Sequence, residues 1–257
     1  MSDKELYTKT VEQIETLLKE QKGFGVEFYE LNLNKENSTQ NIQKKVEVKE
    51  NRQMTEPDTS QLNLLNSASK KMSLEEISDE IGECTRCKLH RDRKNIVFGD
   101  GNSHARLVFV GEGPGRDEDE QGKPFVGRAG KLLTKIIHAM GLQRSDVYIC
   151  NVVKCRPPEN RNPEHDEMSI CGQFLNKQLA SINPEIVVCL GSIAAKYLLN
   201  SNASLGSMRG KFHNYENTKL MVTYHPAALL RNPNFKKPLW EDMKLVLKEL
   251  KLPVPGD

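Results

Sequence analysis

The feature that most constrains the fold is a regular alternation of two apolar patterns from Ser73 onward. Four short runs rich in β-branched residues are predicted as buried strands, at 106–110, 147–153, 185–190 and 220–224. Longer segments with apolar residues on one helical face are predicted as helices, at 129–140, about 164–181, 192–199 and about 238–250. Such alternation is typical of right-handed crossovers and of a mostly parallel sheet covered on both faces. The sequence therefore predicts an α/β protein.

The N-terminal part of the chain has a different composition. Residues 32–72 contain no glycine, cysteine or aromatic residue, and 11 of these 41 positions are Asn or Gln. Because this stretch offers too little apolar surface to offset chain ordering, we predict a disordered linker. Before it, residues 4–20 have the spacing of a short amphipathic helix, which either docks on the body or a partner or belongs to a solubilising tail. We expect an N-terminal extension at 1–72 and a folded domain at 73–257, beginning at a capping box of Ser73 and Glu76.

Composition excludes some classes of protein. No window approaches the roughly 20 apolar residues that span a bilayer, and the N-terminus lacks the apolar region of a secretory signal. We therefore expect a cytoplasmic protein without membrane contact. The net charge is only +2, so any nucleic-acid-binding face must be local. The densest basic cluster has five members, Arg86, Lys88, Arg91, Arg93 and Lys94.

The chain has six cysteines in two kinds of surroundings. Cys150 and Cys189 lie in apolar strand contexts and are predicted to be buried core residues. The other four are polar in context: a C-x-x-C pair, Cys84 and Cys87, and two cysteines that are 16 positions apart, Cys155 and Cys171.

Three kinds of cysteine chemistry compete for this second group. Disulfides are disfavoured in the cytosol, and a thioredoxin-like pair requires a preceding strand, which Cys84 lacks. Zinc usually uses two C-x-x-C pairs, of which only one is present, whereas iron–sulfur clusters accept thiolates from scattered positions. The spacing favours one iron–sulfur cluster, with zinc as the alternative, and the predicted ligands are Cys84, Cys87, Cys155 and Cys171.

Unusual segments follow each predicted strand. In parallel sheets, ligands bind beyond the carboxyl ends of the strands. There the chain has GEGPG at 111–115, Asn151, a Leu-Gly-Ser turn at 190–192, and His225 with Pro226. Neither the phosphate-binding P-loop pattern nor G-x-G-x-x-G fits residues 111–133, so no nucleotide cofactor is expected. Four chain segments are therefore predicted to converge on one pocket.

Several motifs together resemble one known family. They are ECTRCKLH at 83–90, VGEGPGRDEDEQGKPFVGRAGKLL at 110–133, NVVKCRPPENRNP at 151–163, Cys171, and TYHPAALLR at 223–231. This set resembles the family 4 uracil-DNA glycosylases, the iron–sulfur members of their superfamily, from about Ile77 to Leu250. The resemblance implies a three-layer α/β/α fold with a four-stranded, mostly parallel sheet and one 4Fe-4S cluster on the four cysteines. It also implies excision of uracil from DNA, which starts base excision repair; the alternative is a non-catalytic iron–sulfur DNA-binding domain of a replication or repair complex.

The resemblance also implies roles for individual residues in the pocket. Phe125 is expected to stack on the extruded uracil, and the amide of Asn151 to read its hydrogen-bonding edge, which differs from that of cytosine. His225 is the candidate donor to the uracil carbonyl on which negative charge collects. The remaining candidates come from the loop after the first strand. Glu112 is expected either to orient water or to bind uracil through its backbone. Glu118 is expected to crowd the position of a thymine methyl group, and two glycines to contact the base, Gly111 and Gly113.

The expected partner is DNA containing uracil, single- or double-stranded, bound by a monomer. Basic side chains near the pocket are expected to contact phosphates. The candidates are Arg86, Arg91, Arg93, Arg156, Arg161 and Arg231. The stretch 228–230 could wedge into the base stack. Residues 1–72 are a candidate docking segment for a replication or repair partner.

Overall fold

The protein is described by a computed structural model over residues 71–255. The helix predicted at 4–20 and nearly all of the linker predicted at 32–72 lie outside the described residues. The strands in chain order are β1 (Asp100–Gly101), β2 (Leu107–Gly111), β3 (Tyr148–Asn151), β4 (Ile186–Leu190), β5 (Phe212–Tyr215) and β6 (Thr218–Thr223). The α-helices in chain order are α1 (Leu74–Ile81), α2 (Arg116–Gln121), α3 (Arg128–Ala139), α4 (His165–Ile182), α5 (Ser192–Leu199), α6 (Leu205–Met208), α7 (Pro226–Arg231) and α8 (Lys236–Glu249).

The strands form one sheet in the order β1-β3-β2-β4-β6-β5. β3, β2, β4 and β6 are parallel neighbours, and they are the four strands that the sequence predicts. The predicted count of four is corrected to six, because an antiparallel strand is added at each edge, β1 beside β3 and β5 beside β6. β1 has only two residues and β5 is half-exposed, so neither has the apolar run by which a buried strand is recognised.

Helices cover both faces of the sheet. Every residue of β2, β3 and β4 is buried, as expected for parallel strands between two helical layers. Val108 and Val110 of β2 point to one face, where they join a core with Leu175 of α4. Phe109 points to the other face and joins a core with Leu133 of α3. The predicted three-layer α/β/α architecture is thus confirmed.

Helix α1 begins with the capping box that the sequence predicts. Ser73 caps α1, because its Oγ accepts the Glu76 N–H at 3.1 Å and its own N–H donates to the Glu76 carboxylate at 2.7 Å. Ile77 and Ile81 then pack against Phe174 of α4. This contact places the loop that follows α1, which carries the C-x-x-C pair, beside α4.

None of the helices in residues 71–255 combines the length and the apolar character that crossing a bilayer requires.

Candidate active site

The carboxyl ends of the four parallel strands surround one cavity of about 520 Å³. Gly111 pairs with Asn151 at the ends of β2 and β3, and Leu190 pairs with Thr223 at the ends of β4 and β6. The cavity wall contains six of the predicted pocket residues, Glu112, Gly113, Glu118, Phe125, Asn151 and His225. The structure therefore brings these residues together, as their positions after the strands predict.

Asn151 has an unsatisfied acceptor at the cavity. It is the last residue of β3 and is 1% exposed, and its side-chain Oδ1 is buried with no hydrogen-bond partner among the described residues. An unpaired buried acceptor costs about 1–3 kcal/mol, so proteins rarely retain one without a ligand to satisfy it. This oxygen can accept a hydrogen bond from a ligand N–H in the cavity.

Gly111, which lies behind the cavity wall, permits this arrangement. A β-carbon there would overlap Asn151 Oδ1 and would lie 2.6 Å from Cζ of Phe125. Only a residue without a side chain lets the Asn151 amide and the Phe125 ring approach the end of β2. Gly111 thus packs against two residues that line the cavity, and its expected contact with substrate stays a prediction.

Phe125 is held in a strained conformation. Its φ of 53° is left-handed, which is uncommon for a bulky residue, and its side chain is 6% exposed. The Arg144 guanidinium donates to the carbonyl oxygens of Pro124 and Phe125, the latter at 3.2 Å. Gly130 lies against the same carbonyl, where a β-carbon could not fit. Long-range contacts thus fix the ring as one wall of the cavity.

Glu118 joins the two loops that flank Phe125. One carboxylate oxygen accepts the N–H groups of Val126 and Gly127, both at 2.9 Å, and the other accepts the Gly115 N–H at 3.1 Å. The side chain therefore lines the cavity while its oxygens are bound to backbone. Such a carboxylate forms a fixed wall.

His225 is placed by a hydrogen bond to its own helix. It is the N-cap of α7, and its Nδ1 accepts the Ala227 N–H at 3.1 Å. Burial, with a smaller contribution from the charge of Arg231, lowers the pKa of His225 to about 4. The ring is thus neutral at physiological pH, and because Nδ1 is an acceptor its proton lies on Nε2. The ring centroid is 5.6 Å from that of Phe125, so a donor and an aromatic face share the cavity.

Glu112 and Gly113 complete the wall after β2. The Glu112 carboxylate makes no hydrogen bond within residues 71–255, and burial raises its pKa. Gly113 has no space for a side chain, because a β-carbon would lie 2.7 Å from Cγ2 of Val153. Glu112 is therefore the carboxylate in this wall whose oxygens are not already bound to protein groups, in contrast to Glu118.

The six predicted phosphate-contacting arginines fall into distinct groups. Arg161 and Arg231 line the cavity, and Arg161 is fixed by the buried Glu167 carboxylate at 2.6 and 2.8 Å. Arg91 is exposed and has no hydrogen bond or ion pair in the described part of the chain. Arg156 donates from Nε to Oδ1 of Asn160 at 2.8 Å.

Arg86 and Arg93 are turned toward the cysteines. Arg86 donates to Cys84 Sγ at 3.2 Å, and its guanidinium lies 5.2 Å from the centre of the Phe174 ring. Arg93 donates to Cys155 Sγ at 3.4 Å and to the Cys84 carbonyl at 2.5 Å. Arg93 therefore joins two cysteine-bearing segments, whereas Arg86 joins the loop of Cys84 to the end of α1.

The four predicted ligand cysteines line one small cavity between α1, α4 and the loop after β3. The cavity wall contains Cys84, Cys87, Cys155 and Cys171. The backbone N–H of Lys154 donates to Cys171 Sγ at 3.2 Å, so three of the four sulfurs accept hydrogen bonds from N–H groups. Burial raises the pKa of Cys155 to about 12.

All six cysteines are free thiols, and Cys150 and Cys189 are fully buried in the sheet as predicted. No three His, Cys, Asp or Glu side chains within residues 71–255 are close enough together to hold one metal ion. The four cysteines thus surround a common space without converging on a single point.

Sequence reasoning missed two residues that position the site. Arg144 lies in a short 3-10 turn before β3, where no motif marks it, although it holds the backbone of Phe125. Lys154 is 1% exposed and donates to the Asn151 carbonyl at 2.8 Å. The two valines before it in NVVKC were a signal that its surroundings are apolar.

Residues 98–244 match the family described as the Uracil DNA glycosylase superfamily. The chain is therefore a member of this superfamily. A relative named Type-4 uracil-DNA glycosylase from Saccharolobus solfataricus is 49% identical over an alignment of 187 residues that covers 69% of this chain and 87% of the relative. The chain belongs to the type-4 uracil-DNA glycosylases, as its motifs predict.

Two further relatives with the same name support this membership. That of Archaeoglobus fulgidus is 45% identical over 182 residues, covering 68% of this chain and 92% of the relative. That of Thermotoga maritima is 48% identical over 161 residues, covering 62% of this chain and 84% of the relative.

Proposed function

We propose that this protein excises uracil from DNA by hydrolysing the N-glycosidic bond, which starts base excision repair. The observation that carries the proposal is the buried Oδ1 of Asn151, which has no partner in the described part of the chain and lies at a cavity lined also by Phe125 and His225. The names of the relatives, uracil-DNA glycosylases, support the same activity.

The cavity suits a pyrimidine that has left the base stack. Extrusion costs a few kcal/mol, and stacking on an aromatic ring returns about 1–3 kcal/mol. Phe125 supplies the ring, and Asn151 Oδ1 accepts the N3–H of uracil while its amide NH₂ donates to the adjacent carbonyl. Cytosine has no proton on N3 and has an amino group at that carbonyl position, so it would mismatch this amide twice.

Thymine must be excluded by shape, because its hydrogen-bonding edge is that of uracil. Glu118 is the group that we assign to this task. Its carboxylate is fixed by three backbone N–H groups, so it cannot swing aside for a methyl group.

The reaction breaks the bond between N1 of uracil and C1′ of the sugar, and the electron pair leaves with the base. Neutral His225 donates from Nε2 to the uracil carbonyl on which this charge collects. A donor of this kind is worth about 3–4 kcal/mol in the transition state. Water forms the new bond to C1′. Glu112, whose oxygens have no partner among residues 71–255, orients this water and accepts its proton. The products are free uracil and an abasic sugar.

We assign one 4Fe-4S cluster to Cys84, Cys87, Cys155 and Cys171. The fit rests on four thiols around one cavity and on the N–H donors that reach three of them, as cluster sulfurs commonly accept hydrogen bonds. Uracil excision involves no change of oxidation state, so the chemistry that the cluster supplies when bound is cross-linking of the three cysteine-bearing segments.

DNA binding is assigned to the mouth of the cavity. Arg161 and Arg231 lie there and are the phosphate contacts that we favour, with the exposed Arg91 at the cysteine loop. Leu230 of α7 is 50% exposed, unusual for a leucine, and is the candidate wedge into the base stack. We propose that the protein acts as a monomer in the cytoplasm, where cysteine ligands remain reduced. Residues 1–72 remain our candidate segment for docking to a replication or repair partner.

The test is incubation of the full chain with a single-stranded oligonucleotide containing one uracil, without added cofactor. We expect free uracil and an alkali-labile abasic site, and neither product from matched oligonucleotides with thymine or cytosine. Tight binding of the uracil oligonucleotide without release of uracil would overturn the proposal in favour of a non-catalytic DNA-binding domain.

A further inference from the structure

Lys154 is a buried lysine without a carboxylate partner in the described part of the chain, and burial lowers its pKa. Its side chain is 1% exposed, and its Nζ donates to the Asn151 carbonyl at 2.8 Å and to Gln178 Oε1 at 2.6 Å. No Asp or Glu in the described part of the chain lies within ion-pair distance of it. A charge removed from water is costly unless a counter-charge and hydrogen bonds compensate it. Lys154 has the two hydrogen bonds but lacks the counter-charge.

The missing counter-charge has a candidate in the cysteine cavity. Lys154 itself lines this cavity, together with Cys155, the next residue, and Cys171. Its backbone also ties two parts of the site, because its N–H donates to Cys171 Sγ at 3.2 Å and its carbonyl accepts the Val97 N–H at 2.8 Å. Ligand cysteines are thiolates, so four of them around a cluster place negative charge beside this ammonium.

The other end of the same side chain reaches the base-reading residue. The Asn151 carbonyl accepts a hydrogen bond from the Lys154 ammonium. The side chain of the same asparagine carries the Oδ1 atom that is unpaired among the described residues and lies at the active-site cavity. Gln178, the second acceptor, is itself anchored, since its Nε2 donates to the Phe98 carbonyl at 3.0 Å and to the Tyr148 hydroxyl at 3.3 Å. The ammonium therefore has a fixed position between the two sites.

We propose that Lys154 is a positioning residue with two roles. It serves as counter-ion to the thiolate-bound cluster, and it holds the end of β3 so that Asn151 faces the extruded base. This inference rests on the proposed function. It goes beyond that function because it couples cluster and base recognition through one buried side chain.

The coupling has two measurable consequences. Reduction makes a cluster more negative, and a neighbouring cation favours the reduced form, so removing the cation lowers the cluster's reduction potential. Loss of the hydrogen bond to the Asn151 carbonyl makes the position of the Asn151 side-chain amide less fixed. The interaction of this amide with uracil is then weakened most in the transition state. We therefore expect kcat to fall more than KM rises.

The experiment compares Lys154→Met with Lys135→Met in the full, iron-loaded chain. Lys135 is exposed on α3, so its variant makes the same chemical change away from both sites. For Lys154→Met we expect a lower reduction potential, or loss of iron, together with at least a tenfold fall in kcat on a uracil oligonucleotide. Lys135→Met is expected to match the wild type. A Lys154→Met protein with full iron and the wild-type potential overturns the inference.

Lys154→Arg keeps the test decisive if the methionine variant does not fold. Arginine retains the charge but cannot donate to Asn151 with the same geometry, so we expect normal iron content and potential with reduced kcat. An arginine variant that loses its iron, or that has the wild-type kcat, contradicts the inference. If the wild type releases no uracil, the proposed function fails, whereas the potentials of the variants still test the counter-ion.

Discussion

The Nδ1 atom of His225 accepts a hydrogen bond from the backbone N–H of Ala227 at 3.1 Å. This bond caps α7 and leaves the ring proton on Nε2, where it can stabilise the departing uracil. His225→Asn separates the two roles, because asparagine also caps helices well but lacks the ring donor. We expect the single-turnover rate constant of uracil excision to fall about 10²–10³-fold, the usual effect of removing one such donor.

The matched control for this change is His104→Asn, which alters an exposed histidine whose ring bonds to the Ser103 hydroxyl. It should leave both the rate and the melting temperature unchanged. If His225→Asn excises uracil at the wild-type rate, the histidine has no part in the chemistry.

The pH dependence should have its acid limb at Glu112. Burial raises the pKa of this carboxyl, so it ionises, and becomes able to accept a proton from water, only above its usual range. The rate should therefore rise with pH through that raised pKa. In Glu112→Gln the rate should be lower, and the remaining acid limb should move to about pH 4, where His225 becomes protonated. If Glu112→Gln keeps the acid limb of the wild-type pH–rate profile, the Glu112 carboxylate is not the group whose ionisation controls the rate.

The same histidine predicts the pH dependence of stability. Its pKa is about 4 in the folded protein, lowered from an ordinary 6.5, so the unfolded chain binds its proton more readily. The contribution of neutral His225 is fully present above about pH 6.5 and is lost as the pH falls toward 4. Denaturant titrations of the wild type and His225→Asn should diverge in this window, with the wild type losing more free energy of unfolding.

Gly111→Ala should damage the pocket although it replaces no polar group in it. The added methyl group would overlap Asn151 Oδ1 and would lie 2.6 Å from the Phe125 ring, so one of the two must move. We expect kcat/KM for uracil excision to fall at least tenfold. Gly206→Ala is the control, because the nearest atom to its β-carbon is 4.0 Å away. Equal activity of the two variants would show that the pocket tolerates the displacement.

Arg144→Met tests whether the strained Phe125 depends on its clamp. Without the guanidinium, the Pro124 and Phe125 carbonyls lose a donor, and Phe125 can relax from its φ of 53°. Because the stacking surface then becomes mobile, we expect KM to rise about tenfold, since stacking is worth about 1–3 kcal/mol per base. Arg106→Met, which breaks an exposed ion pair with Glu185 at the opposite end of the sheet, should leave KM unchanged. An unchanged KM in Arg144→Met would mean that Gly130 and Glu118 suffice to hold the ring.

The sequence predicts the parallel strands well because their central residues are buried on both faces and are therefore apolar. It does not predict β1 and β5, which lie at the edges and need only one neighbour. The convergence of Glu112, Asn151 and His225 was also predictable, because carboxyl ends of parallel strands meet at one edge whatever the side chains between them.

Side-chain partners were not predictable in the same way. Arg86 and Arg161 look alike in the sequence, but their partners differ. Arg86 donates a hydrogen bond to Cys84, whereas Arg161 lines the active-site cavity and donates to the buried carboxylate of Glu167. The left-handed Phe125 likewise depends on Arg144, which is 19 residues away and carries no local signal. Such contacts are decided by packing between distant segments, which periodicity and spacing do not encode.

The cysteines allow a last comparison, between Cys87→Ala and Cys189→Ala. Cys87 lines the cysteine cavity, whereas Cys189 is fully buried in β4 away from it. Both changes remove one thiol, but only the first removes a proposed cluster ligand, so iron, acid-labile sulfide and visible absorbance should fall in Cys87→Ala alone. Cys189→Ala should cost only a small cavity, about 1 kcal/mol or a few degrees of melting temperature. Full iron in Cys87→Ala with normal melting would remove this cysteine from the ligand set.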